Sequence, residues 1–103
     1  MRITVLCIAV IGLWGSVGPV RADFDLAVKK NCLACHNVDK RKYGPSFQQI
    51  AAKYADQKNA AEVLVKKIRR GGTGVWGQDV MPPQPQVSAA EARAIATYVL
   101  SLK

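Results

Sequence analysis

One histidine, two methionines and three cysteines are all that 103 residues offer of those types, and each scarcity excludes something. A closed structural zinc site takes about four protein ligands. Cys7 lies in an apolar leader, so Cys32, Cys35 and His36 are the thiol and imidazole donors left in the body of the chain. That set falls short of a closed site. Runs that alternate apolar and polar residues are missing, and with them the βαβ setting of a thioredoxin-like thiol pair. Long hydrophobic runs are missing too. The apolar stretch from Ile3 to Trp14 is shorter than the roughly 20 residues a membrane span needs. Gly71-Gly72-Thr73-Gly74 is a poor phosphate loop, because no Lys-Ser/Thr pair follows it. Acidic residues are few, seven against fifteen basic ones, for a net charge of +8.

The leader has the form of a secretory signal peptide. Arg2 gives a positive start, Ile3 to Trp14 the apolar stretch, and Val20-Arg21-Ala22 a small-x-small cleavage site. Residues 1–22 are therefore predicted to be removed after Ala22, with no stable membrane insertion; a retained anchor is the alternative. Export and the cysteine usage place the product, residues 23–103, in the periplasm or an equivalent outer compartment. It forms one small domain, of a size that commonly needs a disulfide, a metal or another covalent staple.

The periodicity is helical throughout. A first helix is predicted from Asp23 to about Asn31, with Phe24 and Val28 on one face and Lys29-Lys30 in its last turn, where cations suit the helix dipole. Gly44-Pro45 ends a basic loop, Lys40-Arg41-Lys42. Ser46 can cap a second helix whose Phe47, Ile50, Ala51 and Tyr54 repeat at i, i+3, i+4, i+7. Asn59 with Glu62 resembles a capping box opening a third helix that runs to Arg70 and stops at Gly71. Ser88 with Glu91 forms another such pair. The last helix follows, its apolar face made by Ala92, Ile95, Val99 and either Ala96 or Leu100. Between the third and last helices lies a long loop containing Met81-Pro82-Pro83-Gln84-Pro85, and long loops in compact domains are usually functional or disordered.

Cys32-Leu33-Ala34-Cys35-His36 carries the chemistry. Two thiols three positions apart can each form a thioether with one vinyl group of a haem, and the adjoining imidazole then lies where it can bind the iron. A plain disulfide between the two cysteines is the competing reading, but it leaves His36 without a role. Met81 is the sole methionine outside the predicted signal peptide. A thioether is a soft, neutral ligand that favours ferrous iron and raises the reduction potential, and Pro82, Pro83 and Pro85 restrict the loop that holds it. A place in the core is the other reading of Met81. The basic residues Lys40, Arg41, Lys42, Lys66, Lys67, Arg69 and Arg70 either form solvated faces or steer the protein towards acidic partners.

These landmarks, with Gly44-Pro45-Ser46-Phe47, Gly74-Val75-Trp76-Gly77, Met81-Pro82-Pro83 and the closing Tyr98-Val99-Leu100-Ser101-Leu102-Lys103, resemble the small bacterial class I cytochromes c, the cytochrome c-551/c-552 group. The resemblance spans nearly all of residues 23–103. It implies an all-α fold of about four to five short helices around one covalently bound haem c, the first and last helices crossing. It implies His36 and Met81 as the axial iron ligands, with Cys32 and Cys35 as the thioether positions. Pro45 would offer its carbonyl to the His36 ring N–H, and Trp76 would donate to a haem propionate. Lys67, where the family often has Arg, would pair with a propionate but not as a bidentate fork. Gln84-Pro85-Gln86 makes the loop one residue longer than is commonest in the family.

The function implied is that of a non-enzymatic, monomeric single-electron carrier. It would work between respiratory donors and redox protein partners such as a nitrite reductase, a terminal oxidase or a cytochrome peroxidase, and would bind no nucleic acid. An open-site haem protein that binds small ligands or peroxide is the alternative.

Overall fold

The computed structural model describes residues 19–102. The body of the predicted signal peptide, residues 1–18, lies outside them. Four α-helices and one short 3-10 turn make up the described regular structure. They are α1 (Pro19–Lys29), the turn Cys32–Ala34, α2 (Phe47–Tyr54), α3 (Ala60–Arg70) and α4 (Ala89–Ser101). The sole extended pairing among the described residues is an isolated antiparallel bridge between Gly72 and Met81. None of the described helices is long and apolar enough to cross a membrane.

Helix α1 starts at Pro19, four residues ahead of the predicted Asp23, so Ala22 lies within it. Proline is tolerated in a first turn, where its missing N–H has no helical partner. The helix ends at Lys29, short of the predicted Asn31. Asn31 instead takes a left-handed conformation with φ 67°, which asparagine tolerates better than most residues. The face that α1 buries also differs from the expectation. Ala27 is fully buried and Phe24 half-buried, whereas Val28 is 47% exposed. The buried stripe therefore runs at i, i+3 from Phe24, and Val28 falls outside it.

Helix α4 is the hub, packing against α1, α2 and α3. Ala27 on α1 and Ala92 and Ala96 on α4 are all 0% exposed. Larger groups fill the space beside them. Phe24 meets Tyr98 edge-on at 6.0 Å and Tyr98 meets Phe47 at 6.1 Å, the geometry that ring quadrupoles favour. Leu64 and Ile68 of α3 and Ile95 and Val99 of α4 complete the described core.

The caps on α2 and α4 form as predicted. The Ser46 hydroxyl accepts from the Gln49 N–H while the Gln49 side chain accepts from the Ser46 N–H, and Ser88 and Glu91 do the same for α4. The Asn59–Glu62 box does not form. The Asn59 side-chain oxygen Oδ1 accepts from the Gln57 side chain instead, at 3.0 Å, so it is engaged outside the helix.

Candidate functional site

The helices leave an apolar cleft bounded by α2, α3, α4, the 3-10 turn and two loops. It encloses about 1200 Å³ of atom-free space, part of it open to solvent. Its walls include Cys32, Cys35, His36, Pro45, Lys67, Trp76 and Met81, every site residue named from the sequence. Phe47, Tyr54, Leu64, Ile68, Ile95 and Val99 supply the apolar lining.

One wall is the Cys32–His36 segment. The left-handed Asn31 turns the chain sharply out of α1, and the 3-10 turn brings the His36 N–H to the Cys32 carbonyl at 3.0 Å. Both thiols are free and half-buried. Burial pushes the Cys32 thiol above its ordinary value, against a smaller lowering by a backbone hydrogen bond. The His36 ring is fixed on three sides. Its Nδ1 lies 2.7 Å from the Pro45 carbonyl oxygen. That oxygen can only accept, so Nδ1 is the donor and Nε2 is the nitrogen left with a lone pair for a metal. Phe47 stacks on the ring at 5.6 Å. Gly44 closes the third side, and a Cβ there would come within 2.6 Å of the ring's Cε1.

The opposite wall is the loop after α3. Met81 is pinned through its own backbone: its N–H donates to Gly72 at 2.9 Å and its carbonyl accepts from Gly72 at 3.0 Å. This closeness demands Gly71, whose φ is 71° and whose missing Cβ would overlap the Met81 carbonyl. Between the paired residues the chain makes a tight excursion carrying Trp76. Gly74 donates to Gly77 at 3.0 Å, and the Thr73 hydroxyl donates to the Gln78 carbonyl at 3.2 Å.

Several side chains at the site carry no signal in the sequence. Arg41 and Asp79, on opposite loops of the cleft, form an ion pair at 3.5 Å. The Lys53 ammonium sits 5.2 Å from the centre of the Trp76 ring. Tyr43, 50% exposed, stands at the cleft mouth. These pairings join residues 23 or more positions apart, and no local spacing rule reaches that far. Phe47 was legible as a core residue of α2, but its stacking on His36 was not.

Whether a haem suits this cleft can be judged from the chain's own groups. The lining is overwhelmingly apolar, as a flat macrocycle requires, and the cationic Lys67 and the indole of Trp76 offer donors to acidic substituents. Two free thiols and one oriented imidazole share a wall, and a thioether donor comes from the facing loop. The fit is good in shape and in donor chemistry. Fold and site together define a class: an all-α protein wrapped around a covalently held metalloporphyrin.

The comparisons with known proteins agree. The family model for cytochrome c matches residues 24–103. Cytochrome c-552 of Nitrosomonas europaea is 52% identical over 86 residues, 84% of this chain and 84% of that protein. Cytochrome c-552 of Hydrogenobacter thermophilus is 45% identical over 98 residues, 95% of this chain and 96% of that protein. Among solved structures, that of the Nitrosomonas europaea cytochrome c552 superposes with a TM-score of 0.76 at 52% identity, covering 78% of this chain and 99% of that one. The chain belongs to the cytochrome c family. It is a haem-based electron carrier with one covalently attached haem c and its iron.

Proposed function

We propose that residues 23–103, released into the periplasm by cleavage after Ala22, carry single electrons between respiratory donors and a terminal reductase or oxidase, with His36 and Met81 as the two axial iron ligands. The observation that carries this reading is that His36 and Met81 line one apolar cleft, each held by its own contacts. The His36 imidazole is locked by Pro45, Phe47 and Gly44, and Met81 is locked by Gly72.

When bound, the haem supplies the one-electron couple through its iron. The chain supplies everything else. Cys32 and Cys35 anchor the ring covalently. The Pro45 carbonyl holds the His36 proton on Nδ1 and makes Nε2 more basic. Prolines 82, 83 and 85 stiffen the segment behind Met81. Apolar side chains exclude water, and this disfavours the more highly charged oxidised state and raises the potential. Trp76 and Lys67 hold the propionates, with the Lys53 ammonium over the indole face as a further cation nearby. Two fixed ligands leave little to rearrange on electron transfer, which suits a carrier rather than an enzyme. The protein works as a monomer, and its basic surface makes encounters with acidic redox partners fast, weak and salt-sensitive.

The test is an intact mass and an optical spectrum of the exported protein, followed by Met81→Ala. The wild type is expected to have the mass of residues 23–103 plus one haem and, when oxidised, an iron–sulfur charge-transfer band. Met81→Ala is expected to lose that band, to bind carbon monoxide rapidly when reduced, and to fall markedly in potential. An unchanged potential in Met81→Ala would remove Met81 from the iron. Rapid carbon monoxide binding by the wild type would establish an open-site haem protein instead.

A further inference from the structure

Trp76 rides the outer part of the loop after α3. It is half-buried, while Thr73, Gly74, Val75, Gly77 and Gln78 around it are exposed. A Cβ built on Gly74 or Gly77 would meet nothing within 4 Å, so no other element crowds the turn. The turn's own ties are to backbone carbonyls: the Gly74 N–H donates to Gly77 and the Thr73 hydroxyl to Gln78. Such bonds fix the path of the chain and leave the indole its two side-chain torsions. Among the described residues no other aromatic ring packs on the indole.

One side chain reaches the ring from outside the loop. The Lys53 ammonium stands over the Trp76 ring, 5.2 Å from its centre, within the range of cation–π attraction. Lys53 belongs to α2, two positions after the buried Ala51 and one before the buried Tyr54. That helix packs on α4, so the lysine stem starts from a fixed point. The side chain is exposed and takes no part in the described ion pairs, so its charge is free to act on the ring. A cation on an indole face also draws on the ring's π density, which makes the N–H at its edge a better donor.

We propose that Lys53 is a positioning residue for Trp76, holding the indole at the cleft wall from α2 and strengthening its N–H as a donor. This rests on the place given above to Trp76 at a haem propionate, and deepens it. The role needs a cation of that length. Arginine can fill it, and a neutral chain with the same apolar stem cannot.

The experiment uses the exported, haem-loaded protein. Trp14 lies in the leader, so Trp76 is the one tryptophan of residues 23–103, and its indole N–H gives a single nuclear magnetic resonance signal. Exchange of that proton with solvent is followed in the reduced protein, beside the reduction potential and the helical melting curve. The variants are Lys53→Met, Lys53→Arg, Trp76→Phe and the double variant Lys53→Met/Trp76→Phe. Lys58→Met, at another exposed lysine outside the described ion pairs, is the control.

In Lys53→Met the indole N–H is expected to exchange about two- to fivefold faster, the factor that a cation–π contact at an exposed site is worth, with helical melting unchanged. Loss of a nearby positive charge by itself attracts less hydroxide and slows exchange, so the sign separates holding from bare charge. Lys53→Arg and Lys58→Met should match the wild type. The potential should fall in Lys53→Met, and by less when the same change is made in Trp76→Phe. Exchange that is unchanged or slower in Lys53→Met overturns the proposal, and so does a potential shift of one size with and without the indole. A Trp76→Phe variant with the wild-type potential overturns the reading of Trp76 at the propionate, and the part given to Lys53 with it.

Discussion

At the residue scale, the site depends on a hydrogen atom where any other amino acid has a side chain. Gly44 does not owe its place to an unusual φ; it owes it to the His36 ring. A methyl group there would stand 2.6 Å from Cε1 and 2.9 Å from Nδ1, well inside van der Waals contact, and 3.3 Å from the Cys35 carbonyl oxygen. The ring would have to tilt, straining both the Pro45 bond and the Phe47 stack. Gly44→Ala in the haem-loaded protein is therefore expected to cost about 1–3 kcal/mol, the usual price of overpacking, and to shift the reduction potential as the imidazole turns. A denaturant titration and a potentiometric titration check the two effects. An unchanged midpoint in both would mean that the ring moves freely. Gly71 plays the matching part on the other wall, where positive φ and contact with the Met81 carbonyl combine.

At the element scale, the two capping boxes and the failed one make a direct comparison. Ser88→Ala removes the hydroxyl that accepts the Glu91 N–H at 3.1 Å, and is expected to destabilise the protein by about 1 kcal/mol. Asn59→Ala removes no cap bond, so its effect in the same denaturation assay should be much smaller. Glu91 adds a pH dependence. The Ser88 backbone N–H, and after it the Lys30 ammonium, hold its carboxyl below the usual carboxylate range. A lowered folded-state value means that its contribution is full above about 4.5, the ordinary value, and is lost as pH falls through the folded value. Wild type should lose stability more steeply than Glu91→Gln on acidification through that window. The helices and these caps were legible because both are local: a 3.6-residue period and an i, i+3 pair lie within one reading window. So were the thiols, His36 and Met81, whose chemistry is scarce in this chain. The start of α1 was not legible, since Pro19 is as acceptable at a first helical turn as Asp23. The Arg41–Asp79 and Lys53–Trp76 pairs were not legible either, because each joins segments far apart in sequence.

At the scale of the whole molecule, the cofactor is part of the core. Leu64 and Ile68 of α3, Ile95 and Val99 of α4, and Phe47 and Tyr54 of α2 are buried by their neighbours on one side and line the cleft on the other. Remove the ring and these faces meet water or each other. The helices are short, eight residues in α2 and eleven in α3, below the length at which a helix holds its own in water. Their stability must come from packing, and much of the apolar surface of α2, α3 and α4 faces the cleft rather than another helix. Replacing Cys32 and Cys35 by Ala should therefore do more than remove colour. The exported product is expected to show much weaker helical circular dichroism and no cooperative thermal transition, while the wild type melts in one step. A single replacement, Cys32→Ala, leaves one thioether and the His36 wall intact, and so should retain a folded, coloured protein of lower melting temperature. A cooperative transition in the double variant would mean that the four helices close on themselves, and that the ring occupies a cavity the chain can hold open without it.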